Sequence, residues 1–219
     1  MAEKDLIKKG IFITFEGPEG SGKSTQSNLL RGFLKKKGYE VVQLREPGET
    51  KLGEIVRNIL LHSKKVNITP EAEAFLYLTA RTQLVKERII PALRQGKIVI
   101  CDRFADATVA YQGHGLGINI NMLHKFNDFA TQNIKPDITF LMDLAPKTGL
   151  KRSKNMKGFK DRIEKRAIEF HEKIRAGYLD LAKNNKKRIK VLTVKNQTKQ
   201  QIQAMVRREV DNVIRQKKK

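Results

Sequence analysis

Five short apolar runs alternate along the chain with longer stretches whose apolar residues recur at helical spacing. The runs are Ile11-Phe12-Ile13-Thr14-Phe15, Glu40-Val41-Val42-Gln43-Leu44, Lys97-Ile98-Val99-Ile100-Cys101, Asp137-Ile138-Thr139-Phe140-Leu141-Met142 and Arg188-Ile189-Lys190-Val191-Leu192-Thr193-Val194. Each has the length of a strand, and most are apolar at consecutive positions, as strands buried on both faces are. Between the first two, the segment from Ser24 sets Leu29, Leu30, Phe33 and Leu34 on one side of a helix. Thr69-Pro70-Glu71 supplies a hydroxyl cap, a proline at the first helical position and an early acid. A helix is predicted from there to about Arg94, bent near its end by Pro91, with Phe75, Leu78, Val85 and Ile89 as its core stripe. Two helices are predicted within 104–132, one over about 160–184 and a last over about 199–216. This alternation predicts an α/β fold with a five-stranded parallel sheet flanked by helices. Ligands of such sheets sit beyond the carboxyl ends of the strands, where Glu16, Arg45, Asp102 and Asp143 fall.

Length and composition narrow the picture further. A chain of 219 residues suits a single domain over 1–219, and no repeat or Pro/Ser-rich linker divides it. At this size folding buries about 70% of the unfolded chain's surface, so no covalent staple is needed. Cys101 is the only cysteine, which excludes an intrachain disulfide and suits a reducing cytoplasm. Its place at the end of a strand-like run predicts a small buried apolar residue. Met1-Ala2-Glu3-Lys4-Asp5 is polar and no long apolar run follows, so neither a secretory leader nor a membrane span is expected. The formal net charge of +22 favours anionic partners. No helix-turn-helix, zinc pattern or basic stripe interleaved with aromatics accompanies it, so a specific nucleic-acid partner is not expected. The excess reads mainly as a lysine-rich solvated surface.

The residues that carry chemistry begin with Gly17-Pro18-Glu19-Gly20-Ser21-Gly22-Lys23-Ser24. This is the phosphate-cradling pattern, set between a strand and a helix. Its glycines let the backbone turn tightly so that several N–H groups face one anion, Lys23 brings positive charge to the outer phosphates, and Ser24 offers a hydroxyl to Mg²⁺. A nucleoside triphosphate is the leading ligand. Asp102, at the end of the third strand, can hold a magnesium-bound water beside Ser24, and Arg103 next to it can fork onto a phosphate. In Arg45-Glu46-Pro47-Gly48 a turn holds Arg45 at the same edge.

Three further groupings belong to the same picture. Tyr77 and Arg81, four apart on the long helix, share a face suited to a nucleobase. Thr108, Tyr111 and Gln112 offer a hydroxyl, a phenol and an amide on another helical face. From Lys147 to Arg166 there are nine Lys/Arg and only two acids, Asp161 and Glu164, with Gly158 inside the segment. This predicts a basic lid over about 152–164 that closes on the triphosphate and neutralises charge on the moving phosphoryl group. His62, His114, His124 and His171 are scattered, and none pairs with a Cys at metal-ligand spacing; they read as surface or capping residues.

Together these residues resemble the thymidylate kinase family over nearly the whole chain. The resemblance is carried by Phe15-Glu16-Gly17-Pro18-Glu19-Gly20-Ser21-Gly22-Lys23-Ser24-Thr25, Arg45-Glu46-Pro47-Gly48, Ala80-Arg81, Asp102-Arg103-Phe104 and Ala110-Tyr111-Gln112-Gly113. It implies a three-layer P-loop NTPase fold, transfer of the γ-phosphoryl group of ATP to dTMP with Mg²⁺, and a homodimer. It implies that the loop Gly17–Thr25 binds ATP, that Glu19 faces the acceptor's sugar and phosphate, and that Arg45 and Arg103 hold the dTMP phosphate. It further implies that Tyr77 stacks on thymine, Arg81 donates to a thymine carbonyl, Thr108 and Gln112 complete base recognition, Arg57 lies near the base and Tyr111 crowds the 2′ position of the sugar. Pro18 and Glu19 stand where one branch carries a loop arginine, so the chain resembles the bacterial-type branch with a lid-supplied cation. Lys154 and Lys157 occupy places where relatives can have Arg, and lysine cannot fork onto two oxygens. Arg152, Lys157 and Arg162 are the three candidates for the group that reaches the transferred phosphoryl. Tyr77 stands where Phe is usual, and Glu49 where a second Gly often follows.

Overall fold

The computed structural model describes residues 10–62, 66–157 and 161–217. The sheet comprises β1 (Ile11–Glu16), β2 (Val41–Arg45), β3 (Ile98–Asp102), β4 (Ile138–Asp143) and β5 (Ile189–Thr193), all parallel, in the order β2-β3-β1-β4-β5. The helices are α1 (Lys23–Lys36), α2 (Lys51–His62), α3 (Pro70–Leu84), α4 (Ile90–Arg94), α5 (Ala105–Thr108), α6 (Ile120–Thr131), α7 (Pro146–Lys157), α8 (Ile168–Asn184) and α9 (Lys199–Lys217). The chain passes from β1 to one side of the sheet for β2 and β3, then crosses to the other for β4. The segment after β1 therefore lies where the winding reverses, the position at which open parallel sheets bind ligands.

Alternation along β1 fixes the two faces. Ile11, Ile13 and Phe15 pack with Leu30 and Leu34 of α1 and Val206 and Val210 of α9. Phe12 points the other way, into a core with Leu84, Ile89, Val99 and Cys101. The buried Cys101 is thus an apolar core residue, as its strand position predicts. A third cluster packs Ile174, Tyr178 and Leu181 of α8 against Val109, Tyr111 and Leu141. Register brings Phe15 beside Asp102, and Asp102 beside Arg45, so three strand ends open on one edge.

The long helix starts as expected: Thr69 Oγ1 accepts from the Ala72 N–H at 3.3 Å, and Pro70 follows. It does not run uniformly to Arg94, because Val85–Ile89 widens into a π-helical turn that ends two residues before Pro91. A ring at Pro91 removes one backbone donor from the regular ladder, which accounts for a local change of winding. Val109–Gly115 is also π-helical, so Tyr111 and Gln112 sit on a widened turn rather than a regular helical face.

Four expectations require correction. Helix α2 has no counterpart in the strand and helix pattern read from the sequence, although Thr50 caps it, accepting from the Gly53 N–H at 2.9 Å. The helix expected over about 160–184 begins only at Ile168, because Asp161 Oδ1 binds the N–H groups of Ile163 and Glu164 and closes a turn there. Phe75 is 54% exposed and stacks on Phe126 at 5.5 Å instead of joining the core stripe. Leu29 is likewise exposed beside the buried Leu30. The polar start Met1–Asp5 and the centre of the expected lid, 158–160 with Gly158, lie outside the described residues.

Candidate active site

The phosphate loop folds as it does because two positions tolerate no side chain. Gly17 has φ 133°, and a Cβ there would stand 2.5 Å from the Met142 carbonyl oxygen. Gly20 has φ 65°, and its Cβ would meet the Gly149 carbonyl oxygen at 2.1 Å, so the first turn of α7 lies against the loop backbone to backbone. Gly22 precedes α1 in a left-handed conformation, with no side-chain cap and no acid in the first turn. The first N–H groups of α1 are thus left open to an anion. Lys23 is buried; its Nζ donates to the carbonyls of Gly17 at 3.0 Å and Pro18 at 2.9 Å. Burial and the Arg103 guanidinium pull its ammonium down to about 8, against the attraction of Asp102, Glu19 and Glu16. Ser24 Oγ donates to Asp102 Oδ2 at 2.6 Å. This pair offers hard oxygen donors, which fit Mg²⁺. Among the described residues no three His, Cys, Asp or Glu side chains converge to hold a metal, so the ion would take most of its ligands from phosphate and water.

Arg103 is the hub between this loop and the rest of the cleft. Its φ of 70° is unusual for a side chain with a Cβ, and hydrogen bonds on both sides hold it. Its own N–H binds the Phe15 carbonyl at 2.9 Å, and the following Phe104 N–H donates to Glu16 Oε1 at 2.7 Å. Glu16 Oε2 accepts from Tyr178 Oη at 2.8 Å. Burial, helped by Asp106, pushes the Glu16 carboxyl up to about 8 against Arg103 and these two donors. The Arg103 guanidinium then donates to the Gly17 carbonyl and to Glu19 Oε1, each at 3.0 Å, and lies 4.9 Å over the Tyr111 ring. Tyr111 Oη donates to the same Glu19 oxygen. His171 brings Nδ1 to 3.5 Å from Glu19 Oε2. Burial would raise the Glu19 carboxyl, but His171, Arg103, Lys23 and Tyr111 together hold it far below the usual carboxylate range.

Beyond this cluster the cleft, about 360 Å³, continues between Arg45, Arg57, Tyr77, Thr108 and Gln112. Arg81 lies at its inner wall, 1% exposed. Its five N–H donors all have partners: Glu46 Oε2 twice, at 2.6 and 2.8 Å, Thr108 Oγ1 and Asn127 Oδ1 at 2.7 Å, and the Phe104 carbonyl at 3.0 Å. A base carbonyl reaching Arg81 would have to share one of these. Burial raises the Glu46 carboxyl, with Arg81 opposing. Gln112 Nε2 donates to Glu73 Oε1 at 3.0 Å. Arg45 pairs with Glu54 at 3.1 Å and Arg57 donates to the Pro47 carbonyl at 2.8 Å, so both stand at the cleft in bonds that a phosphate can replace. Burial raises the phenol of Tyr77, which keeps it a neutral ring.

A family model described as Thymidylate kinase matches residues 15–206, which include every residue that lines this cleft. The chain belongs to the thymidylate kinase family. It is 46% identical over 188 residues to a thymidylate kinase of Protochlamydia amoebophila, covering 83% of this chain and 84% of the other. It is 48% identical over 180 residues to one of Exiguobacterium sp., covering 82% and 84%. The crystal structure of a thymidylate kinase from Ehrlichia chaffeensis superposes with a TM-score of 0.74 at 36% identity, covering 92% of this chain and 98% of that one. The expected thymidylate kinase fold, a P-loop α/β sheet flanked by helices, is the observed one.

In this thymidylate kinase family member neither Arg152 nor Arg162 lines the cleft. Arg152 lies on the exposed side of α7, and the side chain of Lys157 lies outside the described residues. Arg162 is held by the Leu60 carbonyl at 2.7 Å and by Glu73 Oε2 at 2.6 Å. Ser153, Met156, Asp161 and Glu164 stand at the cleft instead. Sequence reading left several site-building residues without a role: Glu46, Glu73, Asn127 and Tyr178. Of these, only Glu46 lies within a motif. His171, read as a surface or capping residue, is 1% exposed beside Glu19.

Proposed function

We propose that the protein transfers the γ-phosphoryl group of ATP to dTMP, giving dTDP and ADP, in one cleft shared by both nucleotides. The observation that carries this reading is the continuity of the cleft, in a member of the thymidylate kinase family, from the loop at Lys23 and Ser24 to the pocket of Tyr77, Thr108 and Gln112. In it, ATP phosphates lie on the N–H groups of the loop, and Lys23 turns from the Gly17 and Pro18 carbonyls toward them. Arg45 and Arg103 take the dTMP phosphate, Arg57 lies near the base, Tyr77 stacks on it and Tyr111 borders the sugar. An oxygen of the dTMP phosphate attacks the γ-phosphorus in line, the bond from phosphorus to the β–γ bridging oxygen breaks, and ADP leaves with that electron pair. The attacking oxygen is already anionic near neutral pH, so positioning and charge neutralisation supply most of the acceleration. Mg²⁺ beside Ser24 and Asp102 would neutralise charge on the β- and γ-oxygens.

The cation that meets the transferred group is one of Arg152, Lys157 and Arg162. Arg162 would have to leave Glu73, and Arg166 would stay on that carboxylate. A homodimer is supported by an exposed apolar face on α2, α3 and α6, where Ile55, Phe75, Met122 and Phe129 are 59%, 54%, 49% and 83% exposed. We place the enzyme in the cytoplasm, on its lone buried thiol; among the described residues no helix is long and apolar enough to cross a membrane. Steady-state ADP release with ATP, Mg²⁺ and each nucleoside monophosphate in turn tests the activity. The highest kcat/KM is expected for dTMP; preferential turnover of a purine monophosphate, or none of dTMP, would overturn it.

A further inference from the structure

Behind the base pocket lies a buried carboxylate that the phosphoryl transfer does not use. Glu73, on α3, is 0% exposed. Its Oε1 accepts from Gln112 Nε2 at 3.0 Å, and its Oε2 accepts from Arg162 and Arg166, each at 2.6 Å. A carboxylate paired with two guanidiniums has acceptor capacity only. The Gln112 amide therefore has one allowed orientation. A half-turn would set its oxygen against the Glu73 oxygen, two acceptors with no proton between them in a buried site, which is costly. Gln112 lines the cleft, and with one N–H spent on Glu73 it presents its carbonyl oxygen and its second N–H to a ligand.

The two orientations of a glutamine amide read different pyrimidines. Thymine and uracil carry a ring N–H donor next to a carbonyl acceptor, matching the orientation fixed here. Cytosine carries a ring nitrogen acceptor next to an amino donor, matching the turned amide. We propose that Glu73 is the positioning residue that sets base specificity: by locking the Gln112 amide, it admits 4-keto pyrimidine monophosphates and rejects 4-amino ones. This rests on the reading that Gln112 faces the base. A site whose buried polar groups are left unpaired rejects an analogue strongly, so the lock can account for discrimination of several orders of magnitude.

The test is kcat/KM for dTMP, dUMP and dCMP in Glu73→Gln, whose amide can donate to Gln112 and so permits the half-turn. The double variant Glu73→Gln with Arg166→Gln is measured alongside, because it removes a cation left without its partner and keeps the test open if the single variant does not fold. The dTMP/dCMP ratio is expected to fall by about tenfold or more while the dTMP/dUMP ratio stays within about twofold. Glu73→Asp, which retains an acceptor-only group, is expected to keep the dTMP/dCMP ratio near that of wild type. A smaller fall in whichever glutamine variant folds, or a parallel loss for all three acceptors, would overturn the proposal. Gln112→Leu separates this from the underlying reading: if it leaves the dTMP/dCMP ratio unchanged, Gln112 does not read the base. If it lowers that ratio while the Glu73→Gln variants do not, the locking role alone fails.

Discussion

Replacing Glu16 by Gln should flatten the dependence of stability on pH. Glu16 is 1% exposed at the end of β1, and its carboxyl is raised from 4.5 to about 8, chiefly by burial and secondarily by Asp106. An acid whose folded-state value is raised binds more protons folded than unfolded in the interval between the two values. Its stabilising contribution is therefore full below about 4.5 and is lost as pH rises through about 8. At about 1.4 kcal/mol per unit, moving from about pH 5 to about pH 8 costs the wild type on the order of 3 kcal/mol. Glutamine mimics the neutral carboxyl: its oxygen still accepts from the Phe104 N–H and its amide can donate to Tyr178 Oη. Urea unfolding of both proteins at the two pH values measures the effect. Because all other groups are common to both, the difference between the two slopes isolates Glu16. For a chain of this size, on the order of 3 kcal/mol corresponds to a midpoint difference of about 6–12 °C in a thermal scan at the higher pH. Equal slopes, or a steeper one in the variant, would refute the reasoning.

Other outcomes follow from the same contacts. Glu46→Ala strands the Arg81 guanidinium in the interior and should cost about 3–5 kcal/mol in urea unfolding; a loss below about 1 kcal/mol would show that other partners suffice. Lys23→Ala should lower turnover by about a hundredfold or more with the fold retained by circular dichroism, and dTDP production at the wild-type rate would remove Lys23 from the mechanism. Because the Lys23 ammonium titrates near 8 in the free enzyme, the KM for ATP should rise as pH passes about 8; a flat profile to about pH 9 would contradict that. Tyr111→Phe deletes the hydroxyl bonded to Glu19 and should change the ratio of deoxyribose to ribose acceptors used, whereas an unchanged ratio would take Tyr111 away from the sugar.

What the sequence made legible was local. The phosphate loop, Asp102 and Arg45 are each fixed by a strand end and the few residues after it, so reading the strands placed them. The five-stranded parallel sheet followed from the same apolar runs. The residues that remained hidden are joined over long separations. Glu46 and Asn127 meet Arg81 at separations of 35 and 46 residues, and Tyr178 meets Glu16 at 162. No periodicity encodes such partners. Tyr178 read only as a member of a helix and His171 as a surface or capping residue, because nothing local states which of the helix's faces points at the loop. Helix α2 escaped because the turn residues from Pro47 to Thr50 masked its start, although Thr50 caps it and Val56 and Leu60 share its buried side. The π-helical turn at Val109–Gly115 was also not legible, since its sequence satisfies ordinary helical spacing.

The most direct measurement is the crystal structure of the enzyme with a non-hydrolysable ATP analogue, Mg²⁺ and dTMP. The account predicts the analogue's phosphates on the backbone amides at Gly20–Ser24, the thymine against Tyr77 and Gln112, and the dTMP phosphate between Arg45 and Arg103, facing the terminal phosphate. Thymidine density away from Gln112, or the two phosphates turned away from each other, would contradict it.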